Sequence, residues 1–173
     1  MAIMDTKKIR NIVLLGHGGC GKTSLAEAML YISGGTDRLG KIADGNTVCD
    51  YDSEEVARGF SLSLSMANLT WKDVKINLLD TPGYLDFTGE AGQAVRVADS
   101  AIIVMDAKAG IEVGTELAWD IATEAGLPKA FFINKFDDNE ARFGKVLDAL
   151  HEMSLIYKYH FADIHISYPY NIY

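Results

Sequence analysis

The chain has 173 residues, 49% of them hydrophobic and 23% charged, which is enough apolar content for one domain with a sizeable core and too much for a disordered chain. With 16 basic against 24 acidic residues the formal net charge is −8, so the long-range field repels a nucleic-acid backbone; no DNA partner is expected and any RNA contact must be local. The two cysteines, Cys20 and Cys49, are too few for a disulfide scaffold and point to a reducing compartment, by default the cytoplasm.

Residues 12–15, which follow Lys7, Lys8 and Arg10, are too short an apolar run for a signal-peptide core. The longest later apolar stretch, residues 101–105, falls far below the ~20 residues a membrane-spanning helix needs. A soluble chain with no membrane partner is expected.

In chain order, residues 9–15 are a short β-rich run ending at a glycine cluster, and Leu25, Met29 and Leu30 recur at helical spacing within residues 22–33. That is a strand, a loop and a helix. Residues 34–59 lose all periodicity and collect Gly34, Gly35, Gly40, Gly45, Asp37, Asp44, Asp50, Asp52, Glu54 and Glu55, which describes a long exposed loop. Long ordered loops are uncommon unless functional, and the acidic residues Asp50, Asp52, Glu54 and Glu55 read as its solvated face.

From Phe60, the alternation of Phe60, Leu62, Leu64 and Met66 with Ser61, Ser63 and Ser65 predicts a half-buried strand over 60–66. Residues 74–79, after Trp71, Lys72 and Asp73, predict a second strand that pairs with the first as a hairpin. A strand over 101–104, a helix through Leu117, Ile121 and Ala125, a strand over 130–133 and a helix through Phe143, Val146, Leu147 and Leu150 complete the alternation. Buried strands alternating with helices imply an α/β fold: a mostly parallel sheet with one antiparallel strand and helices on both faces. Residues 154–173, with Tyr157, Tyr159, Tyr168, Tyr170 and Tyr173, carry no period, and His160, Asp163 and His165 match no standard metal-ligand spacing.

Three segments carry chemistry. Gly16, His17, Gly18, Gly19, Cys20, Gly21, Lys22 and Thr23 fit G-x-x-x-x-G-K-S/T between a strand and a helix, where that pattern must lie. Glycines let backbone N–H groups turn inward, the helix N-terminus adds partial positive charge, Lys22 reaches the outer phosphates and Thr23 offers its hydroxyl to Mg²⁺. Cys20 reads either as a thiol activated by the helix N-terminus or as a small residue in a crowded loop.

Asp80 ends an apolar strand and opens Asp80-Thr81-Pro82-Gly83 at the sheet's carboxyl edge, where it can hold Mg²⁺ through water. Gly83 can bring its backbone N–H to a γ-phosphate with no Cβ in the way. At the end of a later strand stand Asn134, Lys135, Phe136 and Asp137. An aspartate accepts two hydrogen bonds from the N1–H and N2 amine of guanine, whereas adenine offers no such pair and would leave a buried Asp137 unsatisfied. Asn134 can serve the other base edge and neighbouring loops, and the Lys135 stem can cover a ring face. GTP and GDP with Mg²⁺ are the ligands these three segments imply.

These residues resemble the translational GTPases, and most closely the GTP-binding domain of elongation factor G and elongation-factor-G-like proteins, over about residues 9–153. The resemblance rests on residues 16–24 including Ser24, on Arg58-Gly59-Phe60-Ser61, on residues 80–87 and on Asn134-Lys135-Phe136-Asp137. It implies a P-loop NTPase G domain over 1–153, incomplete at its C-terminal end, followed by a tail over 154–173 that does not match. It also implies a ribosome-stimulated GTPase that meets the ribosome through a full-length parent; a monomer is expected. Residues 34–65 would hold switch I and 80–98 switch II, with Ser61 in place of a Mg²⁺-ligating threonine.

The sequence departs from the family at named positions. Gly19 replaces an aspartate, and Tyr84 replaces the histidine that orients the attacking water. A phenol is a poor base at neutral pH, so intrinsic hydrolysis is expected to be slow, with Lys22, Mg²⁺ and backbone donors carrying most of the charge stabilisation. Tyr84 either positions water or packs over the site. No match to the family's last guanine-contacting Ser-Ala segment follows Asp137. A non-catalytic switch, or a fragment with weak nucleotide binding, stays open as an alternative.

Overall fold

The computed structural model describes residues 5–156; the tyrosine-rich tail and its two histidines lie outside them. Five strands, β1 (Ile9–Leu15), β2 (Ser65–Trp71), β3 (Val74–Asp80), β4 (Ser100–Asp106) and β5 (Lys129–Asn134), form one sheet in the order β2-β3-β1-β4-β5. β1 pairs in parallel with β3 and β4, β4 in parallel with β5, and only β2 runs antiparallel to its neighbour. The helices among these residues are α1 (Lys22–Ile32), α2 (Ser53–Arg58), α3 (Thr88–Ala94), α4 (Val113–Glu124) and α5 (Phe143–Ile156).

β1 is central, and its unbroken apolar run serves both faces. Leu14 joins Ala26, Leu30, Ala67, Leu69 and Leu78 against α1. Val13 and Leu15 join a second cluster that includes Ile103, Met105, Trp119 and Leu150, with α3, α4 and α5 packed over it. All three β1 side chains are at most 1% exposed, so a truncation such as Leu14→Ala would open a cavity. The parallel register pairs Leu14 with Asp80 and Asp106 with Asn134. The loops after β1, β3, β4 and β5 therefore leave the sheet at one edge, where ligands of α/β sheets bind.

The hairpin expected from the sequence is present, closed by a two-residue loop in which Lys72 and Asp73 have φ of 46° and 64°. Two left-handed residues match the twist of the flanking strands. Its first strand is displaced, however, from the predicted 60–66. β2 begins only at Ser65, and its phase is inverted: Ser65, Ala67 and Leu69 are buried while Met66 is 60% exposed. The reason lies in the backbone N–H groups. Those of Leu62 and Ser63 donate to Glu55 Oε1, and that of Leu64 to Glu90 Oε2. Carboxylates of α2 and α3 thus take donors that a strand would have spent on its neighbour.

The long exposed loop over 34–59 is also corrected. It contains a 3₁₀ turn at Ile42–Asp44 and the short helix α2, opened by a capping box between Asp52 and Glu55. The acidic cluster is a solvated face only in part: Asp52 and Glu54 are exposed, whereas Asp50 and Glu55 are 4% and 2% exposed.

Candidate functional site

The glycine-rich loop leaves β1 and enters α1 through Gly21, whose φ of 100° and contact with the Asn134 amide leave no room for a side chain. Lys22 folds back over this loop: its ammonium, on a residue 6% exposed, donates to the carbonyls of Gly16 at 3.0 Å and His17 at 2.9 Å. Gly83 presses against the same loop. A Cβ there would overlap the Lys22 Nζ and lie 2.7 Å from the Gly18 nitrogen, so the segment after β3 touches the phosphate loop only because residue 83 is glycine. His17 turns the other way, accepting from the Gly114 N–H at 3.3 Å through Nδ1 and meeting Glu112 at 3.5 Å through Nε2. Ser24, next to Thr23, is exposed, as is Gly19.

Thr23, Ser61 and Asp80 come together, and Asp50 joins them. The Thr23 hydroxyl donates to Asp80 Oδ2 at 2.7 Å, and the Ser61 hydroxyl donates to Asp50 Oδ1 at 2.7 Å. The two hydroxyl oxygens lie 3.2 Å apart. Each hydroxyl has one hydrogen; once both point at carboxylates, none is left between the two oxygens. Asp50 Oδ2 and Asp80 Oδ1 are buried with no hydrogen-bond donor among the described residues. The cluster therefore holds an excess of acceptors that a cation would balance.

Burial pushes the Asp80 carboxyl up to about 7, against the opposing Thr23 hydrogen bond and the Lys22 charge. It also raises Asp50 above the usual carboxylate range, with the Ser61 hydrogen bond opposing. An all-oxygen set of two carboxylates and two hydroxyls suits a hard divalent ion, so these residues fit Mg²⁺. Asp50 is the functional candidate that sequence reasoning missed; nothing in its local pattern distinguishes it from the neighbouring acids.

The segment after β5 reaches the same loop from the other side. Asn134 donates to the Cys20 carbonyl at 3.0 Å. Lys135, held at φ 61°, donates to the Gly19 carbonyl at 2.7 Å and to Asp106 Oδ2 at 2.8 Å. Asp106, also missed in the sequence, is itself fixed by the N–H groups of Lys108 and Ala109. Burial works against its charge, yet these donors and the Lys135 hydrogen bond hold its carboxyl below the usual range. Asp137 does not fit the expectation of a buried carboxylate. It stands exposed at the rim of this loop, so only a base seated on it could withdraw it from water.

Cys20 is 1% exposed, and burial raises its thiol pKa in spite of Lys22. An activated thiolate is not what this environment produces. The Tyr84 ring lies across Gly18, where a Cβ would come within 3.1 Å of it, and packs on Phe60 with centroids 4.6 Å apart. It remains 44% exposed.

Residues 7–167 match the family described as the elongation factor Tu GTP binding domain. The chain belongs to the translational GTPases. It is 42% identical over 147 residues to the mitochondrial ribosome-releasing factor 2 of Anopheles gambiae, covering 85% of this chain and 20% of that protein. It is 44% identical over 146 residues to the Danio rerio protein of the same name, covering 84% and 19%. The chain thus spans about a fifth of the length of these relatives.

A crystal structure of a Thermus thermophilus protein superposes with a TM-score of 0.81 at 38% identity, over 84% of this chain and 22% of the other. Translation elongation factor SelB of Methanococcus maripaludis, solved with the GTP analogue GPPNHP, shares the fold at a TM-score of 0.63 and 22% identity, over 85% and 26%. The family's Ser-Ala segment, sought after Asp137 in the sequence, is not found within the described residues of this translational GTPase G domain. Among the described residues no helix is long and apolar enough to cross a membrane.

Proposed function

We propose that this G domain binds GTP and GDP with Mg²⁺ and hydrolyses GTP to GDP and phosphate, driving a conformational switch of a ribosome-associated parent protein. The observation that carries this reading is the acceptor-rich cluster of Thr23, Asp50, Ser61 and Asp80. It joins α1 to both segments expected to switch. Thr23 and Ser61 would hold the ion, with Asp80 and Asp50 beside them. When bound, the ion would neutralise charge on the outer phosphates.

Around it, Lys22 and the backbone N–H of Gly83 meet the phosphates, and residues 16–21 cradle them. Water attacks the γ-phosphorus while the bond to the β–γ bridging oxygen breaks, leaving GDP and inorganic phosphate. Asn134 and Lys135 brace the loop, and Asp137 reads guanine. The relatives are named mitochondrial; our cytoplasmic reading rests on two free, buried cysteines, and fractionation of the source cells decides it.

Tyr84 favours a second reading, a switch that binds GTP and barely turns it over, because its ring is engaged with Gly18 and Phe60. Phosphate release by the full-length parent under single turnover, with and without saturating ribosomes, separates the two. We expect slow release alone, a rise with ribosomes, and a further loss of about tenfold in Tyr84→Phe if the phenol oxygen positions water. No ribosome effect favours the non-catalytic switch, and wild-type rates in Tyr84→Phe reduce the side chain to packing.

A further inference from the structure

Glu27 is 1% exposed in α1, and nothing in the phosphate chemistry above uses it. A carboxylate removed from water must have its charge answered. Here the answer comes from backbone: Oε2 accepts from the Gly40 N–H at 3.2 Å and Oε1 from the Val48 N–H at 2.5 Å. Both donors lie in the segment whose composition suggests only a solvated loop.

The fit around Gly40 is close. A Cβ on that residue would overlap Glu27 Oε2 and sit 2.9 Å from its Cδ and 3.0 Å from the Asn46 carbonyl. Immediately beyond Val48, the Cys49 carbonyl accepts from the Ser65 hydroxyl at 2.7 Å, and the Asp50 carboxylate accepts from Ser61. One buried carboxylate thus fastens the helix that bears Lys22 and Thr23 to the loop that delivers Asp50.

We infer that Glu27 is a positioning residue of the metal cluster, holding residues 40–50 so that Asp50 stays beside Ser61, and thereby setting how strongly a divalent cation is coupled to nucleotide binding. This rests on the reading of the four-residue cluster as a Mg²⁺ site. Both hydrogen bonds of the Glu27 carboxylate go to residues 40–48 rather than to the phosphate loop; it acts through the segment it holds.

The test uses the whole chain, with Glu27→Gln and Gly40→Ala as independent perturbations. Glutamine keeps the size but turns a donor toward a donor N–H. Alanine at 40 displaces the carboxylate without removing a charge, and it carries the test if the glutamine variant does not fold. GDP affinity is measured by calorimetry with excess Mg²⁺ and with chelator, alongside hydrogen exchange of the backbone amides.

We expect affinity in chelator to match wild type, the gain from Mg²⁺ to shrink by about tenfold, and exchange to quicken over 40–50 while β1 and β4 stay protected. An undiminished Mg²⁺ gain in both variants overturns the inference. So does an equal loss with and without Mg²⁺ accompanied by faster exchange throughout, which marks a merely structural residue. If wild-type GDP binding gains nothing from Mg²⁺, the metal reading of the cluster falls, and the coupling assigned to Glu27 falls with it.

Discussion

Replacing Asp137 by asparagine is expected to lower GDP affinity by about a thousandfold and to raise affinity for xanthosine diphosphate. The aspartate offers two acceptors, which suit the N1–H and N2 amine of guanine. Asparagine keeps one acceptor for N1–H and supplies a donor where xanthine carries a carbonyl oxygen. Because Asp137 is exposed at the loop rim, the substitution disturbs no core packing, and melting should move little. Competition calorimetry with both diphosphates checks the exchange. A variant that loses GDP without gaining xanthosine diphosphate would show that Asp137 shapes the loop and does not read the base.

The second large effect concerns Asp80→Asn. The Thr23 hydroxyl can still donate to the asparagine carbonyl, so the local geometry is kept while a charge is removed. In the metal-free chain Asp80 is raised from 3.8 to about 7 by burial. A carboxyl that is raised on folding favours the neutral form, so its ionisation costs stability increasingly as pH climbs from about 4 through 7. Without metal, the variant should match wild type near pH 4 and be the more stable above pH 7, by a few kcal/mol at most.

With nucleotide the order reverses. A proton and a cation compete for Asp80, so the Mg²⁺-dependent gain in wild-type GDP affinity should grow as pH rises through about 7. In Asp80→Asn that gain should fall by about tenfold to a hundredfold and lose most of its pH dependence, since only Asp50 of the carboxylate pair remains to titrate. Thermal melts and calorimetry at pH 5 and 8 read both effects. A wild-type Mg²⁺ gain that is flat with pH would contradict the assignment.

The parts of this fold that were legible from residues alone are those where one local signal dominates. Residues 12–15 are apolar without interruption because β1 is buried on both faces, and the glycines that follow fit one motif with Lys22 and Thr23. The hairpin was marked by the polar pair Lys72 and Asp73. Where two signals competed, the nearer one misled. The clean alternation over 60–66 looked like a strand, but Glu55 and Glu90 intercept its N–H groups. That capture is visible only when α2 and α3 are in place. α3 itself carries two glycines in seven residues and no apolar stripe.

The same distinction holds at the site. Lys22, Thr23, Asp80 and Asn134 sit at the ends of strands or the start of a helix, where the pattern of the chain places them. Asp106 also ends a strand, β4, but no motif around it marks it. Asp50 and Glu27 depend on tertiary neighbours: Ser61 lies eleven positions from Asp50 and Val48 lies 21 from Glu27. Periodicity cannot register such pairs. An acidic residue in a polar stretch reads as solvated unless the group that withdraws it from water is known.

The most direct measurement is calorimetric titration of the whole chain with GDP and with ADP, each with excess Mg²⁺ and with chelator. A cleft that joins an acceptor-rich metal cluster to a guanine-reading carboxylate should bind GDP at micromolar concentration or tighter in Mg²⁺. It should bind GDP distinctly less well in chelator, and ADP not measurably. ADP binding as tight as GDP, or GDP binding indifferent to Mg²⁺, would contradict it.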